Sequence, residues 1–396
     1  MFVNMHKNVW LLMLSQALMG SIGPVVVFVG GFVGLKLAPT PVLATLPIAC
    51  MIVGIAFYML PAVKLLSTIG RKKGFVIAAT WGGINCLITS YAIYLQHFWL
   101  FCFAIFNFGF MIANSQQFRF SAMESVNDEH ASEAISVMLI AGLIAAYIGP
   151  EIAYIGKDIF STEFTGSFAI MALLYIPAIL LLSKYVDVHK SIVKVSGEPR
   201  SLNEIIKQPI FLVAIISATV AFSVMSFIMT ATPISMHVHH GFDMADTKWV
   251  IQSHIIAMYL PSFFTGALVK RFGQKKMIIS GVLIFFLCLM IGFLGKEYVH
   301  YWASLVLLGI GWNFMFISAT SLLPLSYEPE ERFKVQGFND LIMFSCQAIA
   351  SLSAGWVIKS YGWNSLLTMC VPLLLLTMWV VYVWHKNKNN KNKNNV

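Results

Sequence analysis

Ionisable and amide side chains are scarce in the long apolar runs of this sequence, so each one that occurs is a candidate for chemistry. A charged group at the centre of a membrane helix costs about 2.5 kcal/mol or more, and one that persists there ordinarily faces water, a partner or a ligand. Glu151 follows Gly149-Pro150 inside such a run. A carboxylate so placed can exchange protons near neutral pH, the property a proton-coupled carrier requires. Arg119, in Gln116-Gln117-Phe118-Arg119-Phe120, suits the binding of an anion, and Gln116, one turn earlier, extends the same polar lining. The run Gly309-Ile310-Gly311-Trp312-Asn313-Phe314 sets an aromatic ring and an amide beside two close-packing glycines. A buried amide must find a neighbouring helix, water or a ligand. His254 and Gln16 are weaker candidates of the same kind.

The elements that carry these residues are membrane spans. Of 396 residues, 58% are hydrophobic and 11% charged, too apolar a composition for a water-soluble globule of this length. Charge-free or nearly charge-free stretches of about 20 residues or more recur along the chain and predict twelve transmembrane helices. The run 74–118 is long enough for two of them. The only long polar interval, 186–207, divides the chain into an N-terminal bundle, 1–185, and a C-terminal bundle, 208–385. Ser201-Leu202-Asn203-Glu204 predicts a capping box opening a short amphipathic helix through Ile205, Ile206 and Phe211. The last residues, 386–396, form a Lys/Asn tract predicted to be disordered.

Two basic loops, Gly70-Arg71-Lys72-Lys73 and Gly273-Gln274-Lys275-Lys276, lie 203 positions apart and each follows the second span of its half. One membrane unit is thus written twice. With both termini inside, only Lys36, Lys157, Lys248, Lys296 and Lys359 fall outside, leaving 21 of the 26 basic residues on the cytoplasmic side. The net charge of +9 is then a topology signal and an attraction to anionic lipid, and no basic domain for nucleic acid exists.

On these grounds the sequence resembles the major facilitator superfamily over residues 1–385. The resemblance implies an all-α integral membrane protein of two pseudo-symmetric six-helix bundles around a central cavity, with a basic signature loop after the second helix of each half. In the first loop Gly70, Arg71 and Lys72 fit that signature and its acidic member is missing. In the second, Gly266, Arg271 and Gly273 fit, while Lys270 stands at the acidic position. By the family's fold, Asp340, near the start of the eleventh span, is expected to replace the missing acid by pairing with Arg71 or Lys64. Glu133 answers Lys270 or Arg271 in the pseudo-symmetric place, and helix capping is the alternative duty of both acids.

The sequence therefore reads as a secondary active transporter of a small organic solute, coupled to protons, resident in the inner membrane and acting as a monomer. The Gly149-Pro150 pair, which the family's exporters carry, favours efflux. Uptake of a nutrient or metal chelate, and a membrane sensor without transport, are the alternatives. No Walker sequence, HExxH or GxSxG occurs, so ATP drive and enzyme activity are not expected, and no cofactor is implied. His237, His239, His240 and Asp243 cluster in a predicted outer loop but lack an opposing ligand, and no metal site is assigned there.

Overall fold

The computed structural model describes residues 5–40, 43, 46–187 and 200–394; the middle of the predicted linker, 188–199, lies outside them. The chain divides into two compact units, 1–191 and 192–396. Among the described residues there are helices and turns and no strand. With no water to bond the backbone in hydrocarbon, helices satisfy their own amides and carbonyls.

The N-terminal unit runs α1 (Lys7–Gly20), α2 (Ile22–Leu37), α3 (Leu46–Ile69), α4 (Arg71–Tyr94), α5 (Phe98–Gln116), α6 (Phe118–Glu124), α7 (Ala131–Ile155) and α8 (Thr165–Ser183). The C-terminal unit runs α9 (Leu202–Ile205), α10 (Pro209–Pro233), α11 (Met244–Tyr259), α12 (Ser262–Phe272), α13 (Gln274–Leu294), α14 (Tyr298–Leu322) and α15 (Arg332–Asn394). Among the described residues ten stretches are long and apolar enough to cross a membrane. The last of these, Pro329–Lys386, is two helices merged across Gly362, whose φ of 76° and ψ of 177° leave helical space. The pair α11 and α12, interrupted at Leu260-Pro261, supplies one span more. These two additions account for the twelve spans expected. Phe57, Phe103, Leu173 and Trp379 are exposed on the helices, a distribution that suits lipid and not water.

The internal repeat is written in backbone geometry. Gly70 has φ 84° and ψ 160°, and Gly273 has φ 81° and ψ 155°. Both values lie where only glycine is at ease, so the turn from the second to the third span of each half requires that residue. Close helix contacts use glycine differently. A Cβ on Gly109 would stand 2.1 Å from the Gly54 carbonyl carbon, so α3 and α5 touch backbone to backbone.

Two expectations change. The capping interaction forms, with Ser201 Oγ accepting from the Glu204 amide at 3.3 Å, but α9 is a single turn and Phe211 already belongs to α10. The tail predicted to be disordered continues α15 as helix through Asn394.

Candidate functional site

In the N-terminal unit the signature loop is anchored from within. Arg71 is 4% exposed. A guanidinium so deeply placed needs full compensation, and it receives Glu124 Oε1 at 2.7 Å, the Gln117 carbonyl at 3.2 Å and the Ser121 hydroxyl. The Lys72 amide donates to Asp187 Oδ1 at 3.2 Å, at the far end of the unit's sequence. Phe75, stacked edge-on against Phe118 at 4.5 Å and near Tyr185 at 5.8 Å, walls the site on its apolar side. Glu124 and Asp187 thus serve the loop whose own acidic member is absent. No motif pointed to them, because Glu124 closes another helix, α6, and Asp187 lies in the segment that follows α8.

The second copy keeps the turn, and among the described residues its bases are not buried as Arg71 is. Gly266 is buried, Lys270 and Arg271 are exposed, and the Arg271 guanidinium lies over the Phe272 ring at 5.3 Å. In the same unit Arg200 forks onto the 2% exposed Glu331, Nη2 to Oε2 at 2.6 Å and Nε to Oε1 at 3.0 Å. This ties the end of the linker to the turn before α15. Asp340 is fully buried two turns into α15 and accepts from Asn339 Nδ2 at 2.9 Å, so it lies too far along the helix to cap it. Glu133 occupies the first turn of α7, where its charge favours the helix N-terminus.

Within the N-terminal spans, Gln116 and Arg119 come together as their spacing implies, Arg119 Nη1 donating to Gln116 Oε1 at 3.2 Å with the guanidinium 4.7 Å from the Phe120 ring. Gln16 is half-buried on α1, and its Oε1 has no hydrogen-bond partner among the described residues. Glu151 is exposed on α7, in line with the exposed Tyr147 and Tyr154, and lies within the apolar stretch Asp128–Ile155. Gly149 has a packing explanation: a Cβ there would meet Pro24 Cβ and the Ser21 carbonyl at 2.8 Å each, so this glycine lets α7 close on α2.

In the C-terminal unit, Asn313 is a brace. Pro261 has no amide hydrogen and breaks the ladder between α11 and α12, freeing carbonyls. Asn313 Nδ2 donates to Met258 O, in the last turn of α11, at 2.7 Å and to Ser262 Oγ at 2.7 Å, while its Oδ1 accepts from Thr265 Oγ1 at 2.7 Å. Both N–H donors of the amide and one acceptor position of its oxygen are thus used within the unit. His254, also fully buried, donates from Nδ1 to the Leu305 carbonyl at 2.8 Å, joining α11 to α14. Gly309 permits that approach, since a Cβ there would meet His254 O at 2.7 Å.

Trp312 is different. It is 2% exposed and its Nε1 donor has no partner among the described residues. Its ring stacks on Phe316 at 5.0 Å and meets Phe222 at 5.2 Å and Tyr259 at 6.0 Å, and Phe222 meets Phe344 at 5.6 Å. Four helices, α10, α11, α14 and α15, therefore contribute to one aromatic cluster. Below Phe222 on α10 the face continues with Ser226, bonded by Gln347 Nε2 at 2.8 Å, and Thr230, 3.1 Å from Ser351 Oγ. Only Trp312 of these rings was identifiable from the sequence. The others lie on separate helices whose rotation no single run of residues fixes.

His237 and His240 direct their Nδ1 atoms to the Phe242 and Ser235 carbonyls, each at 2.7 Å. The His239 side chain lies outside the description. Among the described residues no group of three or more His, Cys, Asp or Glu is placed to hold a metal ion.

The sequence pattern of the Major Facilitator Superfamily matches residues 9–247 and again 214–396, one match for each half. The chain is 35% identical over 377 residues to the riboflavin transporter RfnT of Brucella anthropi, covering 94% of both chains. It is 28% identical to the uncharacterised MFS-type transporter YdeG of Bacillus subtilis, covering 96% of this chain and 92% of that one. Among solved structures, a bacterial homologue of the iron transporter ferroportin in an outward-facing state superposes with a TM-score of 0.72 at 16% identity over 96% of this chain and 99% of that one. The human organic anion transporter MFSD10 does so with a TM-score of 0.74 at 14% identity, over 95% and 99%.

Proposed function

This chain belongs to the major facilitator superfamily, and from that premise we propose that it carries riboflavin or a closely similar flavin across the cytoplasmic membrane by alternating access. That it is a multi-pass membrane transporter of a small solute follows from family and fold; the substrate, direction and coupling are our reading. One observation carries the substrate: the 35% identity to a riboflavin transporter extends over 94% of both chains and is not confined to one half. The aromatic cluster supports it. An isoalloxazine is a planar ring system edged with carbonyl acceptors, and aromatic pairs contribute about 0.5–1.5 kcal/mol beyond burial. Trp312 brings both a ring and an indole donor without an internal partner.

The direction we assign is uptake. Efflux rested on Gly149-Pro150, and the packing of Gly149 against α2 accounts for that glycine without reference to direction. A vitamin is a solute that cells accumulate. Accumulation against a gradient needs a coupled ion, and Glu151, a carboxylate within a span, remains the residue we assign to the proton. Expression in a riboflavin auxotroph tests the reading: growth on limiting external riboflavin is expected, and growth no better than the empty-vector strain contradicts it.

A further inference from the structure

At the end of the N-terminal unit opposite the Gly70 turn, a cavity of about 440 Å³ opens between the close of α2, the turn after α4, the close of α7 and the segment leading into α8. That volume falls within the roughly 300–1,000 Å³ of small-molecule sites. Its walls include Phe32, Ile93 and Phe164, and its charged groups are Lys36, Lys157 and Glu163.

Two independent features mark this cavity as built. The first is backbone strain. Of the two non-glycine residues with positive φ among those described, Gln96 (φ 52°) closes α4 in the ordinary left-handed way, its amide donating to Ile93 O at 2.9 Å and the His97 amide to Ala92 O at 3.1 Å. Phe164, with φ 66°, lines the cavity at the start of α8, where no helix closes to explain it. Such a conformation costs of order 1–3 kcal/mol and persists where the surroundings enforce it. Here the enforcement is visible: Phe164 N donates to Lys157 O at 2.8 Å, closing the loop 157–164, and Ser167 Oγ ties α8 to Ala153 O at 2.7 Å. Gly156 leaves no room for movement, since a Cβ there would stand 2.3 Å from Ser167 N. The result holds the Phe164 ring parallel to Phe32 at 5.9 Å, with Lys157 Nζ 6.0 Å from its centre.

The second feature is charge. Glu163 is shared between two lysines, Oε2 to Lys36 Nζ at 3.4 Å and Oε1 to Lys157 Nζ at 3.5 Å, contacts longer than a good charge-assisted hydrogen bond. Lys36, first through its hydrogen bond, and Lys157 hold the Glu163 carboxyl below the usual carboxylate range. Two cations face one anion across an apolar, aromatic-walled cavity, which leaves a net positive charge at its rim.

We propose that this cavity binds an amphipathic anion, an apolar or aromatic body bearing one phosphate or carboxylate, with the body against Phe32 and Phe164 and the anion on Lys36 and Lys157. The site is separate from the Trp312 cluster, which lies in the other unit, and the proposal does not depend on the flavin reading. The chemistry is met by a free aromatic phosphate or by the headgroup of an anionic phospholipid.

Thermal melting of the purified full chain in dodecyl maltoside tests it, with dodecyl phosphate as probe and dodecanol as its uncharged counterpart. Dodecyl phosphate is expected to raise the melting temperature saturably and dodecanol not. Lys36→Gln with Lys157→Gln should weaken the apparent affinity about 10-fold or more, and Lys296→Gln, outside the site, should leave it unchanged. Glu163→Gln removes the internal competitor and should tighten binding about 2- to 5-fold, a gain that damage to the fold would not produce. Competition by flavin mononucleotide or by phosphatidylglycerol in mixed micelles then identifies the source. Equal shifts with dodecanol, an unchanged response in the double lysine variant, weaker binding in Glu163→Gln, or competition by neither ligand would each overturn the assignment.

Discussion

Replacing Asn313 by alanine would strip Met258 O of its donor and leave the Ser262 hydroxyl to find another partner in a fully buried seam, the Thr265 hydroxyl keeping the Pro261 carbonyl at 2.8 Å. A buried group left unpaired costs about 1–3 kcal/mol, so Asn313→Ala should melt several degrees lower than the parent protein in detergent. Trp312→Phe keeps an aromatic ring and removes only a donor that has no internal partner. It should leave stability nearly unchanged and raise the KM for riboflavin roughly 2- to 10-fold, the worth of one neutral hydrogen bond to a ligand. An unstable Trp312→Phe with normal KM would return Trp312 to the core. For Glu151 the decisive comparison is between modes of transport: Glu151→Gln should abolish proton-driven accumulation and preserve riboflavin exchange, which needs binding but no net change of protonation. Unchanged uphill transport in that variant would remove Glu151 from coupling. The sequence disclosed that Asn313 needs a partner, because any buried amide does. It could not disclose that the partner is the Met258 carbonyl in the last turn of α11, 55 positions earlier, since that depends on how α14 is rotated against α11 and α12.

At the scale of elements, the first signature loop depends for its acids on the end of α6 and on the segment that follows α8. Removing Glu124 leaves the Arg71 guanidinium nearly buried without its carboxylate, and breaking a pair of this kind costs about 3 kcal/mol. Glu124→Gln should therefore destabilise the N-terminal unit strongly, and adding Arg71→Gln should recover part of the loss. Strict additivity in thermal melts of the two single variants and the double would mean that the pair contributes nothing. The turn itself was legible, because a glycine followed by bases occurs twice at one spacing and the two copies share φ and ψ. Its acidic partners were not, because Glu124 and Asp187 belong to no motif and reach Arg71 and Lys72 only once α6 and α8 are packed. The same limit applies to the aromatic cluster, whose rings come from four helices, and to the strained Phe164, whose φ no local sequence signal announces.

For the molecule as a whole, the number of spans was readable because hydrocarbon imposes a length on every apolar run. The breaks inside them were less so: Pro261 divides one span into α11 and α12, whereas Pro61, Pro150, Pro177 and Pro372 sit within continuous helices. Orientation rests on the 21 basic residues assigned to one side and five to the other. A reporter fused near Gly241 should accordingly be found outside and one after Lys388 inside, and cytoplasmic labelling at Gly241 would contradict the arrangement. The central claim is transport of a flavin, and flux through purified protein tests it most directly. Proteoliposomes containing the full chain, given an inward proton gradient, should accumulate radiolabelled riboflavin with saturable kinetics, and unlabelled riboflavin should compete. Uptake indistinguishable from protein-free liposomes, with and without the gradient, would contradict it.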